Sequence, residues 1–124
     1  MMYSIGEFSK LVALPIDTLR YYEKLDLITP TRSHTNKREY TDADANWIAF
    51  IKRLKSTGMP MKQIQSYSAL RDLGDATIDE RLDLLAQQRL RLKGQQQIIQ
   101  QHLDFLDQKI DTYHQRKEAL NQNK

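Results

Sequence analysis

Seven apolar residues, Ile78, Leu85, Leu92, Ile99, Leu106, Tyr113 and Leu120, recur every seventh position through the C-terminal part of this chain. A second set, Leu82, Arg89, Gln96, Leu103, Ile110 and Lys117, interleaves with them at spacings of four and three. That repeat is the pattern of a coiled coil. Thr77-Ile78-Asp79-Glu80 reads as a capping box that starts the helix, and only Gly94 interrupts it before Asn121. About 43 helical residues make a rod of ~65 Å. A chain of 124 residues has no body large enough to bury such a rod, so its seam must meet another helix. Ile78, Leu82, Leu85, Leu92, Ile99, Leu103, Leu106, Ile110, Tyr113 and Leu120 are therefore the expected dimerisation residues. Arg89, Gln96 and Lys117 weaken the seam and are read as selecting partner and register. The spacing permits a parallel or an antiparallel pair.

The residues before the rod carry a different grammar. Ser4-Ile5-Gly6-Glu7 is a capping box, followed by an apolar stripe of Phe8, Leu11 and Val12. Ala13-Leu14 makes a short turn, and Pro15 opens a second helix. With Leu19 set to zero, Ile16 falls at about +60° and Tyr22 at about −60°, whereas Asp17, Arg20, Tyr21 and Lys24 fall between about 100° and 200°. The outward face thus offers two cations, a phenol and a short acid, a set suited to phosphates and base edges. Helix, tight turn, helix is the helix-turn-helix pattern.

Pro30 ends the helical text. Arg32 to Tyr40 then reads as a hairpin wing with a return strand over Lys37 to Tyr40 and with Asn36 tolerating a left-handed turn. Arg32, Lys37 and Arg38 would lie along the phosphate backbone. Thr41 caps a third helix whose Trp47, Ile48, Phe50, Ile51 and Leu54 face inward and which stops at Gly58. Met59-Pro60-Met61 opens a fourth, with Met61, Ile64, Tyr67, Leu70 and Leu73 packing. The expected division is a head over 1–73, a linker over 74–77, the coil over 78–121 and a polar tail over 122–124.

Composition excludes several classes of function. There is no cysteine, hence no disulfide, thiolate metal site or cysteine redox switch. His34, His102 and His114 are scattered, and His102 and His114 lie too far apart on one helix to share a metal. No nucleophile elbow, phosphate-binding glycine loop or zincin motif occurs, so neither an enzyme nor a cofactor is expected. No signal-peptide core or membrane-length apolar run is present, which favours the cytoplasm. Charge is uneven: residues 1–71 hold 11 Lys and Arg against 7 Asp and Glu, while residues 72–124 hold 8 against 9. The basic excess sits with the helix-turn-helix half.

YSIGEFSKL (Tyr3 to Leu11), DTLRYYEKLDLI (Asp17 to Ile28), then Pro30, Arg32, Arg38 and Tyr40, then FIKRLKSTGM (Phe50 to Met59), together resemble the DNA-binding half of the MerR family of transcription regulators. The resemblance covers roughly residues 1–70. It implies an all-α dominated fold, a winged helix-turn-helix followed by a long dimerisation helix paired antiparallel with that of a second copy. Arg20 and Tyr21 would contact DNA from the recognition helix, flanked by Asp17, Thr18, Tyr22 and Lys24; Arg32, Asn36, Lys37, Arg38 and Tyr40 would serve the wing, and Lys62 would lie near a phosphate. The implied partner is double-stranded promoter DNA with an inverted-repeat site, whose spacer is distorted so that RNA polymerase can engage it. Three positions depart from the family pattern: Ala13 and Asn36 stand where many members have Gly, and Pro15 replaces a Ser or Thr cap. So few residues follow the coil that no separate effector domain is expected, and a signal would act at Leu70 to Thr77 or between subunits. An excisionase-like architectural factor and a coiled-coil interaction module are the rival readings.

Overall fold

The computed structural model describes residues 1–123; Lys124, the end of the expected polar tail, lies outside the described residues. The element order is β1 (Met2–Tyr3), α1 (Ile5–Val12), α2 (Ile16–Lys24), β2 (Thr31–Arg32), β3 (Arg38–Thr41), α3 (Asp42–Ser56), α4 (Met61–Asp72), a 3-10 turn (Asp75–Thr77) and α5 (Ile78–Gln122). Two compact units divide the chain, Met1–Leu85 and the remainder of α5 from Ala86.

Local chemistry sets the helix starts in the first unit. Ser4 Oγ accepts from the Glu7 amide at 3.2 Å while Glu7 Oε1 accepts from the Ser4 amide at 2.9 Å, so both orphan donors of α1 are satisfied. Those bonds favour the carboxylate and hold the Glu7 carboxyl below its ordinary value. Thr41 and Asp44 form the same reciprocal pair at the start of α3. Pro15 and Pro60 precede α2 and α4 without a side-chain cap. Gly58, at φ 86°, ends the α3 reading.

The turn between α1 and α2 is bought with backbone strain at Ala13. It adopts φ 56°, ψ 46°, the left-handed conformation that a Cβ disfavours, and its amide bonds back to Ser9. Lys52 Nζ donates to the Val12 carbonyl at 2.9 Å and so satisfies a terminal acceptor of α1. Ala13→Gly is therefore expected to stabilise the fold by about 1 kcal/mol. The urea midpoint measures it, and an unchanged or lower midpoint would show that no strain is held there.

The wing is an antiparallel hairpin in which Arg32 faces Arg38 and Thr31 faces Glu39. Its loop is a tight turn: the Asn36 amide bonds to the Ser33 carbonyl, and Asn36 sits at φ 62° as the sequence suggested. A third strand, β1, pairs on the other side of β3, giving the order β1-β3-β2. Two residues of strand at a terminus carry no period, so β1 was not expected from the sequence.

The core gathers Phe8, Leu19, Tyr22, Leu27, Ile28, Tyr40, Ile48, Ile51 and Ile64, with Phe8 and Tyr40 stacked at 4.4 Å between centroids. Trp47 Nε1 donates to the Leu27 carbonyl at 2.6 Å, and Arg71 lies over its ring at 4.1 Å. Three residues expected inside are not. Leu11 and Phe50 lie at the surface, and Leu73, 73% exposed, sits past the end of α4. Apolar stripes read from spacing were simply wider than the faces that bury.

The first compact unit runs past 73 because Leu84 and Leu85 of α5 pack against its core. The expected capping box at Thr77 does not form. Thr77 Oγ1 is directed instead to the carbonyls of Leu70, at 2.6 Å, and Gly74, at 2.8 Å, while Arg81 donates to Thr77 Oγ1 and the Gly74 carbonyl. The linker is thus an ordered turn, with Gly74 at φ 89°.

From Ala86, α5 continues unbroken to Gln122, straight through Gly94. Its seam residues Leu92, Ile99, Leu103, Leu106, Ile110, Tyr113 and Leu120 are all exposed in a single chain. Among the described residues no helix is long and apolar enough to cross a membrane.

Candidate nucleic-acid interface

The α2 helix presents two opposed faces. Leu19 and Tyr22 are buried, and Tyr22 is fixed from behind by Lys55, whose Nζ lies 3.3 Å from the Tyr22 hydroxyl. On the other side Asp17, Arg20, Tyr21 and Lys24 are exposed, with Thr18 half-buried at the edge. Arg20 reaches Asp17 across one turn at 3.9 Å with its side chain 57% exposed. A pair so long and so wet is weak, which leaves the guanidinium available to another acceptor.

A groove runs between this face and the wing, lined by Asp17, Arg20, Tyr21, Glu23, Lys24 and Arg38. Three cations thus converge on one concave surface. Glu23, which the sequence reading did not single out, accepts from Arg38 Nε at 2.7 Å and pairs with Arg32 at 3.5 Å. Its position offered a signal. Glu23 is one helical turn after Leu19, at about +40° on the inward arc, and a carboxylate there requires a partner.

The other site candidates divide by place. Asn36 and Lys37 are exposed at the wing tip, and Lys62 is exposed on the first turn of α4, outside the groove. Tyr22 and Tyr40, also expected at the interface, lie behind the surface that Arg20 and Tyr21 present. Tyr22 is buried against the core, and Tyr40 is 0% exposed beneath β3, so neither ring reaches the outer surface. Burial pushes the Tyr40 phenol above its ordinary value and the nearby Glu23 carboxylate adds to this, so the hydroxyl stays protonated. No group of His, Asp and Glu able to hold a metal occurs among the described residues.

The surface has the features of a nucleic-acid reader: an exposed helix face of mixed cation, phenol and acid, with a basic hairpin beside it. Comparison with known proteins agrees. A family model described as "MerR HTH family regulatory protein" matches residues 3–70, and one described as "MerR, DNA binding" matches residues 45–101. An HTH-type transcriptional regulator of Haemophilus influenzae is 32% identical over 121 residues, covering 97% of this chain and 89% of that protein. AdhR of Bacillus subtilis, also an HTH-type transcriptional regulator, is 37% identical over 90 residues, covering 72% of this chain and 64% of its own. Among solved structures, HiNmlR, a MerR family regulator lacking the sensor domain and bound to promoter DNA, superposes with a TM-score of 0.75 at 32% identity, covering 94% of each chain. A MerR family transcriptional regulator from Bacillus thuringiensis gives 0.69 at 31% identity, covering 90% of this chain and 99% of that one.

Proposed function

This chain belongs to the MerR family of transcription regulators, and from that premise we propose that it binds an inverted-repeat promoter site as a homodimer. The observation that carries the reading is the exposed α2 face, with Arg20, Tyr21 and Lys24 opposite a fully buried Leu19 and Tyr22. Arg20 and Tyr21 take base edges in the major groove, with Asp17, Thr18 and Lys24 at the margins. Arg32, Arg38, Asn36 and Lys37 hold the phosphates flanking it, and Lys62 adds one more from α4. Tyr22 and Tyr40 keep α2 and β3 in place from behind.

The head works over residues 1–73, joined through 74–77 to the dimerising helix over 78–121. A lone helix with its seam from Leu92 onward in water is unfavourable, and pairing with a second copy removes that apolar surface. An antiparallel pair sets the distance between the two recognition helices and hence between half-sites. The likeness to HiNmlR on promoter DNA supports this assembly. Bending and untwisting the spacer costs roughly 1–6 kcal/mol, which the phosphate contacts of two heads offset, and RNA polymerase then engages the reshaped promoter. As a transcription regulator it acts on DNA rather than catalysing a reaction, and it works in the cytoplasm.

Footprinting on the DNA upstream of its own gene tests the assembly. Two protected patches in inverted orientation are expected. One isolated half-site would contradict the dimer.

A further inference from the structure

The two wing arginines do not stand free beside the recognition helix. They face one another in the hairpin register, and both end on one carboxylate of α2, that of Glu23. Arg38 gives its Nε at 2.7 Å, and Glu23 is only 25% exposed. Among the described residues the two terminal nitrogens of Arg38 hold no hydrogen-bond partner. They are the planar fork that suits a phosphate. A carboxylate in a groove facing DNA repels phosphate, so Coulomb attraction alone would favour its removal.

We propose that Glu23 is a positioning residue that acts on DNA through Arg38, tying the wing to the recognition helix and aiming the free edge of the guanidinium at a phosphate. This rests on the DNA-binding reading above. The tie fixes the distance between a phosphate contact on the wing and the base-reading face of α2. Native DNA satisfies both at once; DNA of another sequence gains nothing from the fixed distance. Glu23 therefore adds to discrimination, while its charge works against general affinity.

Titration of wild type, Glu23→Gln and Glu23→Asp against the native upstream duplex and a scrambled one, at several salt concentrations, tests this. Glu23→Gln is expected to lose about tenfold on the native duplex, the scale of one charge-assisted contact, and to bind the scrambled one as tightly as wild type or somewhat tighter. Its salt slope on native DNA falls by ~0.9, one phosphate fewer. Glu23→Asp keeps the charge but withdraws the carboxylate by one methylene, and it is expected to lose affinity as well. In an Arg38→Gln background, Glu23→Gln has less than about a twofold further effect, because the route is already cut. Fluorescence of Trp47, the one tryptophan in the sequence, confirms the fold of each variant.

Native binding by Glu23→Gln as tight as wild type or tighter would overturn the role, as would wild-type binding by Glu23→Asp or additive losses with Arg38→Gln. If wild type itself shows no preference for native DNA, the regulator reading fails, and this role with it.

Discussion

Replacing Ile99 and Leu103 together by aspartate is expected to convert the dimer to monomers and to weaken binding to the native site by about 10²- to 10⁴-fold. Both residues lie on the seam of α5, and in a single chain they are 58% and 48% exposed, so their burial depends on a partner helix. Two carboxylates there would have to leave water without a partner, which a marginal interface does not tolerate. The variant also isolates cause from effect. Ile99 and Leu103 lie beyond the compact unit Met1–Leu85, so the head keeps its fold and its recognition face. What is lost is the second head, whose binding is intramolecular only while the coil holds. Sedimentation gives the mass, Trp47 fluorescence the fold of the head, and a DNA titration the affinity. A variant that stays dimeric, or that becomes monomeric without losing affinity, would contradict the coil's assigned task.

Arg20→Ala is expected to cost about 1–3 kcal/mol on the native sequence and much less on scrambled DNA, the signature of a base contact. The geometry favours Arg20 for this: it is exposed on α2 and held only by a 3.9 Å pair with Asp17 that costs little to break. Arg38→Ala serves as the contrast. Its guanidinium belongs to the wing, so its loss should weaken scrambled DNA as well as native, and native DNA more because the alignment set by Glu23 is lost with it, with a smaller salt slope. Equal losses on both duplexes for Arg20→Ala would move it from base reader to phosphate holder.

What the sequence disclosed follows how local each interaction is. The capping pairs Ser4 with Glu7 and Thr41 with Asp44 lie three residues apart, and both form where the sequence places them. Thr77 obeys the same pattern, yet its hydroxyl donates to the Leu70 and Gly74 carbonyls of the turn and its oxygen accepts from Arg81 Nε. The heptads fix α5 within a residue at its C-terminus, since a long period averages over local exceptions.

The candidate site was legible on α2, where the 100° period alone separates Leu19 and Tyr22 from Arg20, Tyr21 and Lys24. Tyr22, at about −60° on the inward arc, is buried as the period places it. The wing was less legible. Alternation in β3 places Arg38 and Tyr40 on one face, toward the core and α2, but only the pairing of Arg32 with Arg38 shows that Glu23 receives both cations. Contacts 9 and 15 residues apart, closed through a turn, are set by tertiary register.

The most direct test of the account is a titration of the purified chain on labelled DNA from upstream of its own gene beside a scrambled duplex, at several salt concentrations. A sequence-specific regulator is expected to prefer the native duplex by about a thousandfold or more, with affinity falling steeply as salt rises. Weak and equal binding to both duplexes would contradict it and favour a protein that bends DNA without reading it.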